Sequence, residues 1–287
     1  MERDYSNLIV VKLSMSKWNP KITDERVNKK VQSDFHTTND AGRWEKNLIA
    51  KEAVKTYQRI AGDIDTWHRK NTMAHPERGL ALVTVRHLEQ VYKPGLEAWM
   101  TKFKEAYEGF IENYPAYREQ AKADLGDTWR EADYPKMDEL RSKFAIGVRY
   151  YPFPTSEHLI GKMRSDIRAE LKAELDRNNE EIHNLFLRDL WDRFHAAVAH
   201  IVERLKGADK VFKDTLVGNV RELCEIMKTL NPNGDTKLET MRAKLEQKIA
   251  GIDPEALRDD RKVRTQTFRI AESLLAEIET ERRKISI

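Results

Sequence analysis

The chain has 287 residues, 40% hydrophobic and 34% charged, which is more apolar content than a wholly disordered chain carries and enough to bury a core. Its 51 basic and 48 acidic residues leave a formal charge of +3, too small to identify a nucleic-acid-binding protein by charge alone. One cysteine, Cys224, excludes an intrachain disulfide, and its neighbours Leu223 and Ile226 read it as a buried free thiol in a reducing compartment.

At the N-terminus, Leu8-Ile9-Val10-Val11 is too short for a secretory apolar core, and no apolar run approaches the ~20 residues that span a bilayer. A cytoplasmic protein without a membrane segment is expected. Residues Asn7 to Ser16 favour a strand because their β-branched side chains lose little freedom on a pleated surface. Phe144 to Tyr151 is a second strand candidate, and pairing of the two would fasten the start of the first helical block to its end. Between Trp18 and Asn39 no continuous apolar face exists, so a short helix over 24–32, an ordered loop and a mobile arm all remain open.

Helical periodicity then dominates. Ile49, Ala53, Tyr57, Ile60, Ile64 and Trp67 share one face over about 45–67. A block from Thr84 to Tyr114 contains Pro94, which predicts a kink or a fresh start, and Leu96, Trp99, Phe103, Tyr107, Phe110 and Tyr114 make its aromatic face. A shorter helix is expected over 117–125, followed by a turn-rich stretch in which Trp129 and Tyr134 either clamp a loop or touch a ligand. The longest run extends from Ser156 to Lys206, with nine basic against ten acidic residues. In it Met163, Ile167, Leu171 and Leu175 advance in steps of four, as do Ile182, Phe186, Leu190, Phe194 and Val198, and a break is expected near Asn178-Asn179. Each step of four turns ~400°, a pattern for crossing several partners rather than for a two-stranded coiled coil. Three more helices follow: 212–230, one from Leu238 to Ile249 capped by Asp235 or Thr236, and one opened by Asp253-Pro254 and running toward Arg283.

Ile9 through Trp18, Gly42-Arg43-Trp44-Glu45-Lys46, Asn113-Tyr114-Pro115, Leu125-Gly126 with Glu131-Ala132-Asp133-Tyr134-Pro135, and Phe144 through Pro154 occur in this order. Together they resemble a phage- and prophage-encoded family catalogued as a domain of unknown function. The resemblance implies a protein of an infected or prophage-carrying bacterial cell, encoded beside genes for a ring-forming ATPase or DNA metabolism; it supplies no catalytic residue.

Chemical motifs are sparse. Glu180-x-x-His183, Asp192-x-x-His195 and His200-x-x-Glu203 each put a carboxylate and an imidazole on neighbouring turns, but His183 and His195 are twelve residues apart on one helix, ~18 Å of rise. His68, His75 and His87 lack cysteine ligands nearby, and the pairs Asp63/Asp65 and Asp259/Asp260 lack the distant carboxylates of a two-metal site. No phosphate loop, nucleophile elbow or dinucleotide fingerprint occurs. The expectation is therefore a mostly α protein, an elongated multi-helix bundle with a small two-stranded β element, divided into residues 1–155 and 156–287. No catalytic residue, metal or cofactor is assigned.

The leading function is a non-enzymatic scaffold or adaptor acting through self-association or a phage or host protein, with Trp191, Phe194, Val198, Ile201 and Leu205 as the candidate interface. The alternative is nucleic-acid binding through a basic N-terminal segment. There, residues 1–60 hold twelve basic against eight acidic side chains, and Lys12, Lys17, Lys21, Arg26, Lys29 and Lys30 would contact phosphates beside Arg43 and Lys46.

Overall fold

The structure, a computed structural model, describes residues 5–155, 164–206 and 215–285. It is mostly α-helical with short antiparallel strands. In chain order the elements are β1 (Leu8–Ser16), β2 (Lys21–Thr23), α1 (Glu25–Phe35), β3 (Glu45–Asn47), α2 (Lys51–Lys70), β4 (Met73–Ala74), β5 (Ala81–Thr84), α3 (Val85–His87), α4 (Lys93–Leu125), α5 (Met137–Ser142), β6 (Ala145–Pro152), α6 (Ser165–Leu205), α7 (Thr215–Leu230), α8 (Thr236–Leu245), α9 (Pro254–Asp259) and α10 (Arg261–Arg283). Residues 156–163 and 207–214, with the expected helix starts that fall on them, lie outside the described residues.

The expected neighbours β1 and β6 do lie side by side, but in a four-stranded sheet of order β4-β5-β1-β6. Two strands came unannounced from the hairpin around Gly79, whose φ of +83° suits a residue without a side chain. Leu8 to Val11 of β1 pair with Thr84 to Ala81 of β5, and β5 pairs in turn with Met73 and Ala74. A second, two-stranded sheet joins β2 to β3. The chain divides into two compact units that interleave along the sequence instead of parting near residue 155. One holds residues 1–12, 69–93 and 149–287; the other holds 13–68 and 94–148.

The second unit has an aromatic core. Tyr57, Phe103, Phe110, Tyr114 and Phe144 are buried together, and Tyr57 meets Phe110 and Phe144 edge-on with centroids 5.1 Å away from each. Their polar tips are satisfied: the Tyr57 hydroxyl donates to Trp18 O at 3.0 Å, Tyr114 to Pro135 O at 3.1 Å and Tyr134 to Leu48 O at 2.8 Å. The helix expected to stop at Tyr114 instead runs unbroken to Leu125, with Pro115 inside it. An internal proline costs a backbone bond, ~3 kcal/mol. Here the same face stays buried on both sides of it, through Phe110, Ile111, Tyr114 and Ala121, and Tyr117 stacks on Phe110 at 5.6 Å. Pro94 stands second in α4, directly after a π-helical turn at Leu88–Tyr92; the backbone is helical without a cap from Val85 through that turn into α4, so the proline is accommodated in a continuous helical run and not at a fresh start.

In the first unit α6 and α10 are the main packing pair. Ile182, Phe186, Leu190, Phe194, Val198 and Ile201 of α6 are buried, as are Ala271, Leu274 and Ile278 of α10. Arg282 donates to Asp192 at 2.6 Å at the edge of this contact. Arg193 donates to the carbonyls of Arg69, Lys70 and Thr72 while Asp189 accepts from Ala74 N at 3.0 Å, tying residues 69–74 to α6. The expected break at Asn178-Asn179 is absent because the Asn179 amide donates outward to Pro154 O at 2.9 Å, leaving the helix ladder alone. Cys224 is buried, and burial pushes its thiol up to about 11. The last expected helix is two: Asp260 ends α9 and caps α10 through Lys262 N and Val263 N, as Asp235 and Asp253 cap α8 and α9.

Candidate functional site

Helix α6 has two unlike halves. At 1.5 Å per residue its 41 residues run ~60 Å, and the first buried position is Asn179. From Ser165 to Asn178 every residue is exposed except the half-buried Leu175. This stretch is rich in Ala, Leu, Glu, Lys and Arg, which lose little freedom in a helix, and it extends a helix already nucleated by the packed half. One apolar row remains on it: Ile167, Leu171 and Leu175, with the first two 41% and 37% exposed. Arg168, Lys172 and, beyond Leu175, Asp176 border the row on one side; Asp166, Glu170 and Glu174 border it on the other.

The side chains singled out in the sequence as an interface lie on the other half. Trp191, Phe194, Val198, Ile201 and Leu205 are all buried inside the chain's own first unit, which leaves a partner no area on them to cover. Their apolar stripe is broad because it faces α10 and its neighbours, whereas the arm's row is one residue wide.

The basic residues are divided too. Lys12 lies in the first unit and the others in the second, so they do not constitute one described surface. Among the described residues Lys17, Lys29 and Arg43 are exposed with no ion-pair partner, while Lys21 pairs with Glu45, Lys30 with Asp34 at 3.1 Å and Arg26 with Asp24 at 3.4 Å. Lys46 is not at the surface. Its side chain is 1% exposed, with Nζ 2.9 Å from Asp24 Oδ2, 2.7 Å from Asp133 Oδ2 and 2.6 Å from Thr128 O, so it is a structural ion and not a phosphate contact. Burial opposes charge on Asp24, but the Lys46 ammonium and the N–H groups of Val27 and Arg26 outweigh it and hold the carboxyl at about 2.

Among the described residues no group of three or more His, Cys, Asp or Glu side chains is placed to share a metal ion. His195 faces Glu279 at 3.6 Å, and His183 packs against Tyr5 and Phe186. No described helix is long and apolar enough to cross a membrane. An open cavity of about 560 Å³ in the first unit is lined by residues that include Asn7, Thr84, Arg86, Thr229 and Arg242. Arg242 is committed to Glu239 and Glu246, and Thr84 Oγ donates to Thr229 O at 2.6 Å. Behind these threonines His87 is fully buried, with Nδ1 2.6 Å from Thr229 Oγ1 and Nε2 without a partner among the described residues. Burial, helped by the charge of Arg193, holds its imidazole down at about 4, hence neutral near pH 7.

Comparison with protein-family models, characterised proteins and solved structures found no match. Sequence reasoning saw the steps of four in the exposed arm of α6 but took them for a bundle contact; the signal that separates arm from core is the charge standing directly beside the row on both sides.

Proposed function

We propose that the protein is a non-enzymatic helical scaffold or adaptor that presents the first four turns of α6 to a protein partner. The observation that carries this reading is the exposure of Ile167 and Leu171 on a helix whose other large apolar side chains are buried or half-buried. Apolar area left in water on an ordered helix is free energy that only a covering surface recovers. The packed half of α6 supplies the order in advance, which lowers the entropic cost of binding. A setting in the cytoplasm of a phage-infected or prophage-carrying bacterium belongs to the same proposal and follows from the family resemblance.

Leu171→Glu is the test. The position is exposed, so its effect on stability is expected to stay within about 0.5 kcal/mol. A complex rebuilt from purified components should lose at least roughly tenfold in affinity, about 1.4 kcal/mol, on losing an apolar contact and gaining a buried charge. Partners and affinities identical for wild type and Leu171→Glu would refute the arm as the binding surface.

The exposed cations Lys17, Lys29 and Arg43 in the second unit, without an ion-pair partner among the described residues, favour a second reading, contact with nucleic acid. Under it, short single- or double-stranded oligonucleotides bind at low salt, binding weakens steeply as salt rises, and the three Gln substitutions together abolish it. Absence of binding at low salt removes this reading.

A further inference from the structure

We infer that the partner covering the arm is a second copy of this chain, lying parallel to the first, with the Ile167, Leu171 and Leu175 rows of the two helices packed on each other. The inference rests on the reading of the arm as the functional surface. Residues four apart form a ridge inclined to the helix axis, and two such ridges pack with the helices crossing at about −50°. The charges beside the ridge decide direction. One residue beyond Ile167 and Leu171 stand Arg168 and Lys172, and one beyond Leu175 stands Asp176; one residue before each row position stand Asp166, Glu170 and Glu174. Around Ile167 and Leu171 the ridge thus has a basic flank and an acidic flank, while at Leu175 both neighbours are acidic and add no attraction.

Turning a second helix to face the first exchanges left for right. If both helices run the same way, the basic flank of each copy lies over the acidic flank of the other. If they run oppositely, basic meets basic and acidic meets acidic. The arm is therefore complementary to itself in parallel and repels itself in the antiparallel arrangement, which supplies attraction to one orientation and discrimination against the other. A different protein would need its own apolar row between opposite charged strips; a second copy carries them already. From Ser165 to Glu174 every residue is exposed, so none of these flanking side chains is enclosed by the chain's own packing. Arg164 pairs with Asp166 at 2.6 Å, a surface contact that parallel association can exchange for a partner's cation at little cost. With three apolar side chains per copy the contact is small, and the dissociation constant is expected in roughly the 10 µM to 1 mM range.

The full-length chain is the reagent. Sedimentation equilibrium over about 10 µM to 1 mM should show a mass rising from 33.6 kDa toward twice that, with Leu171→Glu remaining at the lower value throughout. Direction is read by mild oxidation of the Ile167→Cys and Leu175→Cys variants. Native Cys224 is buried with a raised thiol pKa and stays out of the exchange. Parallel arms give a same-residue disulfide in each variant alone; crosslinks confined to a mixture of the two would overturn the parallel arrangement. A wild-type chain that is monomeric throughout, or that associates no better than Leu171→Glu, would overturn the second copy as occupant. If that chain still loses a different purified partner on Leu171→Glu substitution, the adaptor reading stands while this inference fails.

Discussion

Lys46→Ala is expected to destabilise the second unit by roughly 3 kcal/mol, the low end of what removing one partner of a buried ion pair costs. The ammonium is the counter-ion for two carboxylates, Asp24 at 2.9 Å and Asp133 at 2.7 Å, and it also donates to Thr128 O at 2.6 Å. Alanine leaves both carboxylates and the carbonyl without it, inside a site where water does not enter freely. Asp24 keeps its N-cap bonds from Arg26 N and Val27 N and the guanidinium of Arg26 at 3.4 Å, which is why the low end applies. Lys46→Met separates volume from charge: it restores most of the packing and should recover little of the stability. Urea unfolding at pH 7 is the measurement, and a Lys46→Ala midpoint equal to wild type would show that the cluster contributes nothing.

Acid should weaken the first unit well before it weakens the second. His87 titrates at about 4 in the folded chain against 6.5 when unconstrained, because burial disfavours the imidazolium and Arg193 adds to that. Below pH 6.5 the unfolded state binds a proton that the folded state refuses, so stability falls as pH falls, from 6.5 down to about 4, and then levels. The gap corresponds to about 3 kcal/mol. For Asp24 the folded carboxyl is held at about 2 against 3.8, so its contribution is present above 3.8 and is lost as pH drops from there toward 2. Stability measured from pH 7 to 3 should show the first loss in wild type and not in His87→Gln. A histidine variant with an unchanged slope between pH 6.5 and 4 would assign the loss to another group.

Much of the helical plan was legible because it rests on local repetition. Tyr57, Ile64, Phe103, Phe110, Val220, Leu245 and Leu274 stand on the faces that periodicity assigned them, and all are buried. Asp235 and Asp253 cap as their residue type and position required. What stayed hidden depends on partners distant in sequence. Residues 45–47 read as the start of a helix, yet Lys46 at their centre is held by Asp24 and Asp133 from 22 and 87 positions away, and the segment becomes β3. Pro115 reads as a helix end, and only the buried face on both sides of it keeps α4 continuous. On α6, steps of four occur in both halves; the wide half containing Leu185, Leu187 and Trp191 invited a partner, but width is what a core requires. The narrow half, hemmed by charges, was the one left open.

The interleaving of the two compact units also sets a timetable. Every residue of the second unit has been synthesised by position 148, whereas the first needs α10, completed at Arg283, to cover the broad stripe of α6. On a ribosome the aromatic core can therefore close early, while residues 1–12 and 69–93, already made, wait with their apolar faces uncovered for helices still to emerge. That interval is when the nascent chain is most exposed to chaperones and to clumping, and it is the first unit that bears the risk.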